Sequence, residues 1–196
     1  MDYPFYIRGL FKVPDATLER IVSLLAEDTV IAHPHFVDPE RNVEAFKQIS
    51  PNAQEVIDLI AEQLNLILPW ANLYWNEINQ LGPRGKLGEH SDMAYAGYNK
   101  ESGTPQEIVL THKIHFHIKG RSILRHRRSK YEPFSEFAPV PGVAYWYNNY
   151  VLHESENLSE TENRIAASLI YWDKDWKIRQ GLYERGDFKF QRAYQV

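Results

Sequence analysis

Residues 81–92 read Leu81-Gly82-Pro83-Arg84-Gly85-Lys86-Leu87-Gly88-Glu89-His90-Ser91-Asp92, a Gly/Pro turn leading into a strand that ends in His-x-Asp. In an extended chain residues i and i+2 point the same way, so His90 and Asp92 can take adjacent positions around one metal ion. A third ligand must come from elsewhere. His153, 61 residues after Asp92 and just beyond an expected strand over 142–147, is the natural candidate. Two imidazoles and one carboxylate, with the remaining positions open, suit the iron(II) of non-haem oxygenases. Arg164 opens an apolar run, Ile165 to Trp172, expected to lie antiparallel to the His153 segment and to turn the guanidinium toward the metal. An arginine inside a barrel needs an anion. A dicarboxylate that chelates iron through a 2-oxo acid end would offer its distal carboxylate to that fork.

These residues need rigid strands to hold them. Between the two metal motifs lies Ile108 to Ile118, whose even positions are Ile108, Leu110, His112, Ile114, Phe116 and Ile118 and whose odd positions include Thr111, Lys113, His115 and His117. Alternation of this kind gives one greasy face and one cationic face. The odd face is expected to look into the barrel, with Lys113 and His115 near the metal, and the even face to pack beneath helices. Further short runs bounded by Gly, Pro and Asn fall at about 72–79, 85–90, 121–127, 150–155 and 164–172. The aromatic content of 13%, with 12 Tyr and 5 Trp, is concentrated in this half and favours strands.

Upstream the signals are helical. Asp15 after Pro14 reads as an N-cap, and Leu18, Ile21, Val22 and Leu25 predict an amphipathic helix over roughly 16–28. Ser50-Pro51 opens a second helix, with Val56, Ile57, Ile60, Leu64 and Ile67 as its core stripe. No repeat or linker separates the parts, so a single domain over 1–196 is expected: helices over 1–70, a mainly β core over 71–173 and an extension over 174–196.

Net charge of −4, from 22 Lys plus Arg against 26 Asp plus Glu, excludes a chain-wide basic field for nucleic acid or anionic lipid. The absence of cysteine excludes disulfides, thiolate metal sites and Cys nucleophiles. No run approaches the ~20 apolar residues of a membrane span, so a soluble, cytoplasmic protein is expected. His33-Pro34-His35, on a Pro-broken loop, is assigned no chemistry. The cluster Lys119, Arg121, Arg125, Arg127, Arg128 and Lys130 reads as a solvated hairpin neutralised by acids elsewhere.

In this order and spacing, His90-x-Asp92, His153 and Arg164 resemble the 2-oxoglutarate/Fe(II)-dependent oxygenases on the double-stranded β-helix, a jelly-roll, cupin-like barrel. More narrowly, His153-Glu154-Ser155-Glu156-Asn157, Asn163-Arg164-Ile165 and Leu169-Ile170-Tyr171-Trp172-Asp173 resemble the aspartyl/asparaginyl β-hydroxylase group, which includes free-proline hydroxylases. The resemblance covers about residues 73–173. It implies Fe(II), 2-oxoglutarate and O2 as cofactors, succinate and CO2 as co-products, and an amino acid or amino-acid side chain as substrate. In that family a basic residue and a histidine two apart contact the oxoglutarate; Lys113-Ile114-His115 falls there, with lysine where arginine is usual. Asn79 or Asn76 is the expected polar helper on the preceding strand, and Tyr95, Tyr98, Tyr145, Trp146 and Tyr147 are candidates to face substrate. Two other functions share such a barrel. A cupin-type isomerase would use the His ligands without oxoglutarate, which Arg164 and Lys113 argue against, and a metal-free ligand-binding barrel would not need the triad.

Overall fold

The structure is a computed structural model that describes residues 7–26, 43–46, 51–67, 72–91, 96–98, 105–107, 110–148 and 151–173. In chain order the elements are β1 (Ile7–Lys12), α1 (Asp15–Ala26), β2 (Val43–Phe46), α2 (Pro51–Ile67), β3 (Asn72–Leu81), β4 (Lys86–His90), β5 (Ala96–Tyr98), β6 (Pro105–Glu107), β7 (Leu110–Lys119), β8 (Ser122–Arg127), β9 (Ser135–Phe137), β10 (Val143–Tyr147), β11 (Leu152–Asn157) and β12 (Arg164–Asp173). All pairings are antiparallel. A six-stranded sheet runs β1-β10-β7-β12-β3-β2 and a four-stranded sheet runs β4-β11-β8-β9, with β5 and β6 a separate pair. The long strands β3, β4, β7, β8, β10, β11 and β12 alternate between the two large sheets, so each sheet gathers residues far apart in sequence.

The alternation in β7 decides which face is dry. Ile114, Phe116 and Ile118 are buried in one cluster with Ile78 of β3, Trp146 of β10, and Ala167, Leu169 and Tyr171 of β12. Ile21 of α1 and Val56, Ile57, Ile60 and Leu64 of α2 complete that cluster, so both helices cover one face of the six-stranded sheet. α1 starts one residue earlier than expected: the amides of Thr17 and Leu18 bond to Pro14 O at 2.9 and 3.1 Å, so Asp15 is the first helical residue and Pro14, not Asp15, holds the cap position. Pro51 takes the first helical position of α2, where its missing N–H costs nothing. Asn52 Nδ2 donates to Leu24 O at 3.0 Å and Arg20 pairs with Glu55, which tie α2 to α1.

The opposite face of β7 carries Lys113, His115 and His117, all buried, as the alternation predicts. The β1 and β2 strands extend the six-stranded sheet at its two edges and were not expected from the sequence. Trp146 corrects another expectation. It is fully buried in the helix-side core and does not face substrate. Its neighbour Tyr145 necessarily points the other way, where its ring meets Phe137 edge-on at 4.9 Å and its hydroxyl accepts from Val140 N–H at 2.9 Å.

Candidate active site

Between the two large sheets lies a cavity of about 410 Å3, counting its open mouth. The six-stranded sheet contributes Glu77 and Asn79 from β3, Lys113 and His115 from β7, and Arg164 and Ser168 from β12. The four-stranded sheet contributes Leu87, Leu124, His126, His153, Glu154 and Ser155. Four expected site residues therefore meet here from one sheet, namely Lys113, His115, Asn79 and Arg164, and face His153 on the other. Asn76 is not part of the lining; its even position on β3 shares the side of Ile78.

His90 ends β4 and His153 lies on β11, and the two are direct cross-strand partners. Their ring centroids are 4.3 Å apart. In both, Nδ1 faces the carbonyl two residues back, Gly88 O at 2.7 Å for His90 and Val151 O at 2.9 Å for His153. A carbonyl only accepts, so each Nδ1 carries the proton and, in the neutral ring, each Nε2 carries a lone pair. Backbone orientation of Nδ1–H is the arrangement that fixes a metal-binding imidazole. Asp92, the expected carboxylate ligand, lies outside the described residues, and among the described residues no three His, Cys, Asp or Glu side chains form a metal set. Tyr95 and the pair His33 and His35 also lie outside them, as do the side chains of Tyr98 and Tyr147.

Arg164 is only 2% exposed. Its Nη2 donates to Ser155 Oγ at 3.1 Å across the cavity and its Nη1 donates to Asn79 Oδ1. Asn79 Nδ2 in turn donates to Ser168 Oγ and to Glu77 Oε1, both at 3.2 Å. The guanidinium is thus aimed by a chain of short polar side chains. Behind it, Asn157 Nδ2 donates to the carbonyls of Leu81, Gly82 and Glu162 at 3.0, 2.9 and 2.7 Å, locking the β3–β4 turn to the loop that delivers Arg164. The start of β12 also packs against Gly120, which has φ +91°. A Cβ there would sit 2.7 Å from Asn163 O and 2.8 Å from Arg164 Cα. Gly120→Ala is therefore expected to lower stability by ~1–3 kcal/mol, through strain and a backbone clash together, read by denaturant unfolding. An unchanged midpoint would show that the turn relaxes freely.

Burial holds three imidazoles of β7 and β8 below the usual histidine value. Burial, then the charge of Arg164, holds the His115 pKa well below the usual histidine value. Burial, reinforced by Lys113, lowers His126 to about 4. His117 is also lowered to about 4 by burial, partly offset by its Nε2–H bond to Gly120 O at 2.8 Å.

His126, like Ser155, Ser168 and Glu77, is a site residue that sequence reasoning missed. It sits inside the basic run, but β8 alternates, with Ser122, Leu124 and His126 buried and the intervening residues half-buried. Arg125 turns outward to Glu136, Glu154 and Glu156 at 2.8, 3.0 and 2.9 Å, and Arg127 pairs with Glu89 while lying 4.3 Å above the Phe134 ring. Both arginines are neutralised by acids as expected, but they are half-buried and not solvated.

No family model matches the sequence, and no curated protein matches it by sequence. Solved structures do match. The collagen prolyl hydroxylase vCPH of Paramecium Bursaria Chlorella virus-1, in its 2OG complex, superposes with a TM-score of 0.60 at 13% identity, covering 87% of this chain and 97% of that one. HygX from Streptomyces hygroscopicus, with nickel and 2-oxoglutarate bound, gives 0.59 at 11% identity over 86% and 82% of the chains. The non-heme alpha-ketoglutarate-dependent epimerase SnoN from nogalamycin biosynthesis gives 0.55 at 11% over 85% and 76%. This chain has the fold of 2-oxoglutarate-dependent enzymes. Among the described residues no helix is long and apolar enough to cross a membrane.

Proposed function

We propose that this chain is an Fe(II)- and 2-oxoglutarate-dependent oxygenase on a double-stranded β-helix, hydroxylating an unactivated C–H of an amino acid or amino-acid side chain. The observation that carries it is the cross-strand pair His90 and His153, each with Nδ1–H held by a backbone carbonyl so that Nε2 bears the lone pair, His153 lining the cavity that Arg164 also lines. His90, Asp92 and His153 would hold the metal. Arg164, with Asn79 and Ser155, would take the distal carboxylate of 2-oxoglutarate, and Lys113 and His115 would stand beside its other end. When bound, iron and oxoglutarate with O2 supply the oxidising power, oxoglutarate leaving as succinate and CO2 as one oxygen atom enters the substrate C–H. The protein needs no acid, base or nucleophile for this; its residues orient both molecules and keep water out.

The finer likeness to the aspartyl/asparaginyl β-hydroxylase group rests on His153-Glu154-Ser155-Glu156-Asn157, Asn163-Arg164-Ile165 and Leu169-Ile170-Tyr171-Trp172-Asp173, with Lys113 departing from the usual arginine, and it supports an amino-acid substrate. The placement of Arg164 and Lys113 in one cavity argues against a cupin-type isomerase, which uses no oxoglutarate. Adding 2-oxoglutarate to anaerobic Fe(II)-loaded protein is expected to produce a weak visible charge-transfer band. Succinate release should then rise with one class among free amino acids and short peptides. Metal binding without any band would favour the isomerase.

A further inference from the structure

Resting on that function, we propose that His126 is a positioning residue that donates a hydrogen bond to the carboxylate adjoining the keto group of the 2-oxo acid, opposite Lys113. His126 is 2% exposed, lines the cavity and is the direct cross-strand partner of His153. The two rings lie nearly parallel, 23° apart in plane with centroids 5.9 Å apart. The row His90, His153, His126 thus crosses three adjacent strands at one level. The outer two differ in setting, because His90 ends its strand whereas His126 is enclosed and followed by the Arg127–Glu89 pair. A molecule held at the His90–His153 pair lies one strand spacing, ~4.8 Å, from His126.

The order of residues along the cavity says which end of that molecule His126 meets. Arg164 reaches Ser155, two residues from His153 toward the Asn157 end of β11. Lys113 stands away from that end, opposite Ile170 of β12, and its long side chain lines the same cavity as Arg164 and His126. A dicarboxylate whose distal end is on Arg164 therefore presents its 2-oxo acid end between Lys113 on one sheet and His126 on the other. Lysine supplies charge without direction, and a fixed imidazole N–H supplies direction.

The test compares 2-oxoglutarate with pyruvate, which keeps the 2-oxo acid end and lacks the distal carboxylate. Both are titrated into anaerobic Fe(II)-loaded protein and followed by the charge-transfer band, with metal stoichiometry measured separately. His126→Ala is expected to weaken both acids by about tenfold or more and to shift the band, with metal stoichiometry unchanged. His126→Gln, which keeps an N–H donor, should recover most of the loss, whereas Arg164→Ala should weaken 2-oxoglutarate and spare pyruvate. Should His126→Ala fail to fold, His126→Met against His126→Gln carries the same comparison. Wild-type affinity and an unmoved band in the variants without a donor would overturn the role, and so would loss of metal. A wild-type protein that binds iron and gives no band with either acid overturns the proposed function itself.

Discussion

Arg164→Ala is expected to weaken 2-oxoglutarate binding about thirty-fold to a few thousand-fold while Fe(II) binding changes little. The range follows from the ~2–5 kcal/mol typical of removing one partner of a buried charge pair. The arginine sits almost without exposure between the sheets, aimed by Asn79 and Ser155. Both of those are neutral, so they orient the guanidinium without cancelling its charge. Removing it should not unfold the protein, because Asn79 keeps its bonds to Glu77 and Ser168. Arg164→Lys should rescue only partly, since an ammonium keeps the charge and loses the bidentate fork. Titration of the anaerobic Fe(II) protein with 2-oxoglutarate measures all three. Equal affinity in wild type and Arg164→Ala would make the arginine structural.

His153→Ala is expected to abolish stoichiometric Fe(II) binding, with a fall in affinity beyond the ~10–100-fold that the loss of an outer-shell partner costs. Its imidazole is buried, oriented by Val151 O and in direct register with His90. The strand itself is held by pairing on both sides, to β4 and to β8, so the backbone should survive the change. Metal content by elemental analysis, set beside far-ultraviolet circular dichroism, separates lost metal from lost fold. His126→Ala is the internal control, because it removes a neighbouring buried imidazole and should leave stoichiometry intact. A fully metallated His153→Ala protein would sink the metal assignment.

Much of this was legible in the sequence where burial enforces a strict period. Ile114, Phe116 and Ile118 against Lys113, His115 and His117 told the two faces of β7 apart, because a one-residue slip would bury charge against the helices. The edge strands β1 and β2 were not legible: β1 is interrupted by Gly9 and bulges against β10, and β2 has only four residues. Tyr145 and Trp146 could not both have faced one site, since adjacent strand residues point apart. His126 was hidden by composition. Its flanking arginines made the segment look like surface, although the period-2 alternation of Ser122, Leu124 and His126 was present.

The place of β12 in its sheet has a consequence for how the chain is made. It is inserted between β7 and β3, to which it makes nine-residue ladders on each side, yet it follows both by at least 45 residues in synthesis. Until it emerges from the ribosome, both neighbours offer raw edges at what will become the middle of the sheet. Such edges template wrong pairing, and contacts of long sequence separation form slowly. A nascent chain stopped short of Arg164 would therefore lack the anion site and also be sticky, a client for chaperones until its last central strand arrives.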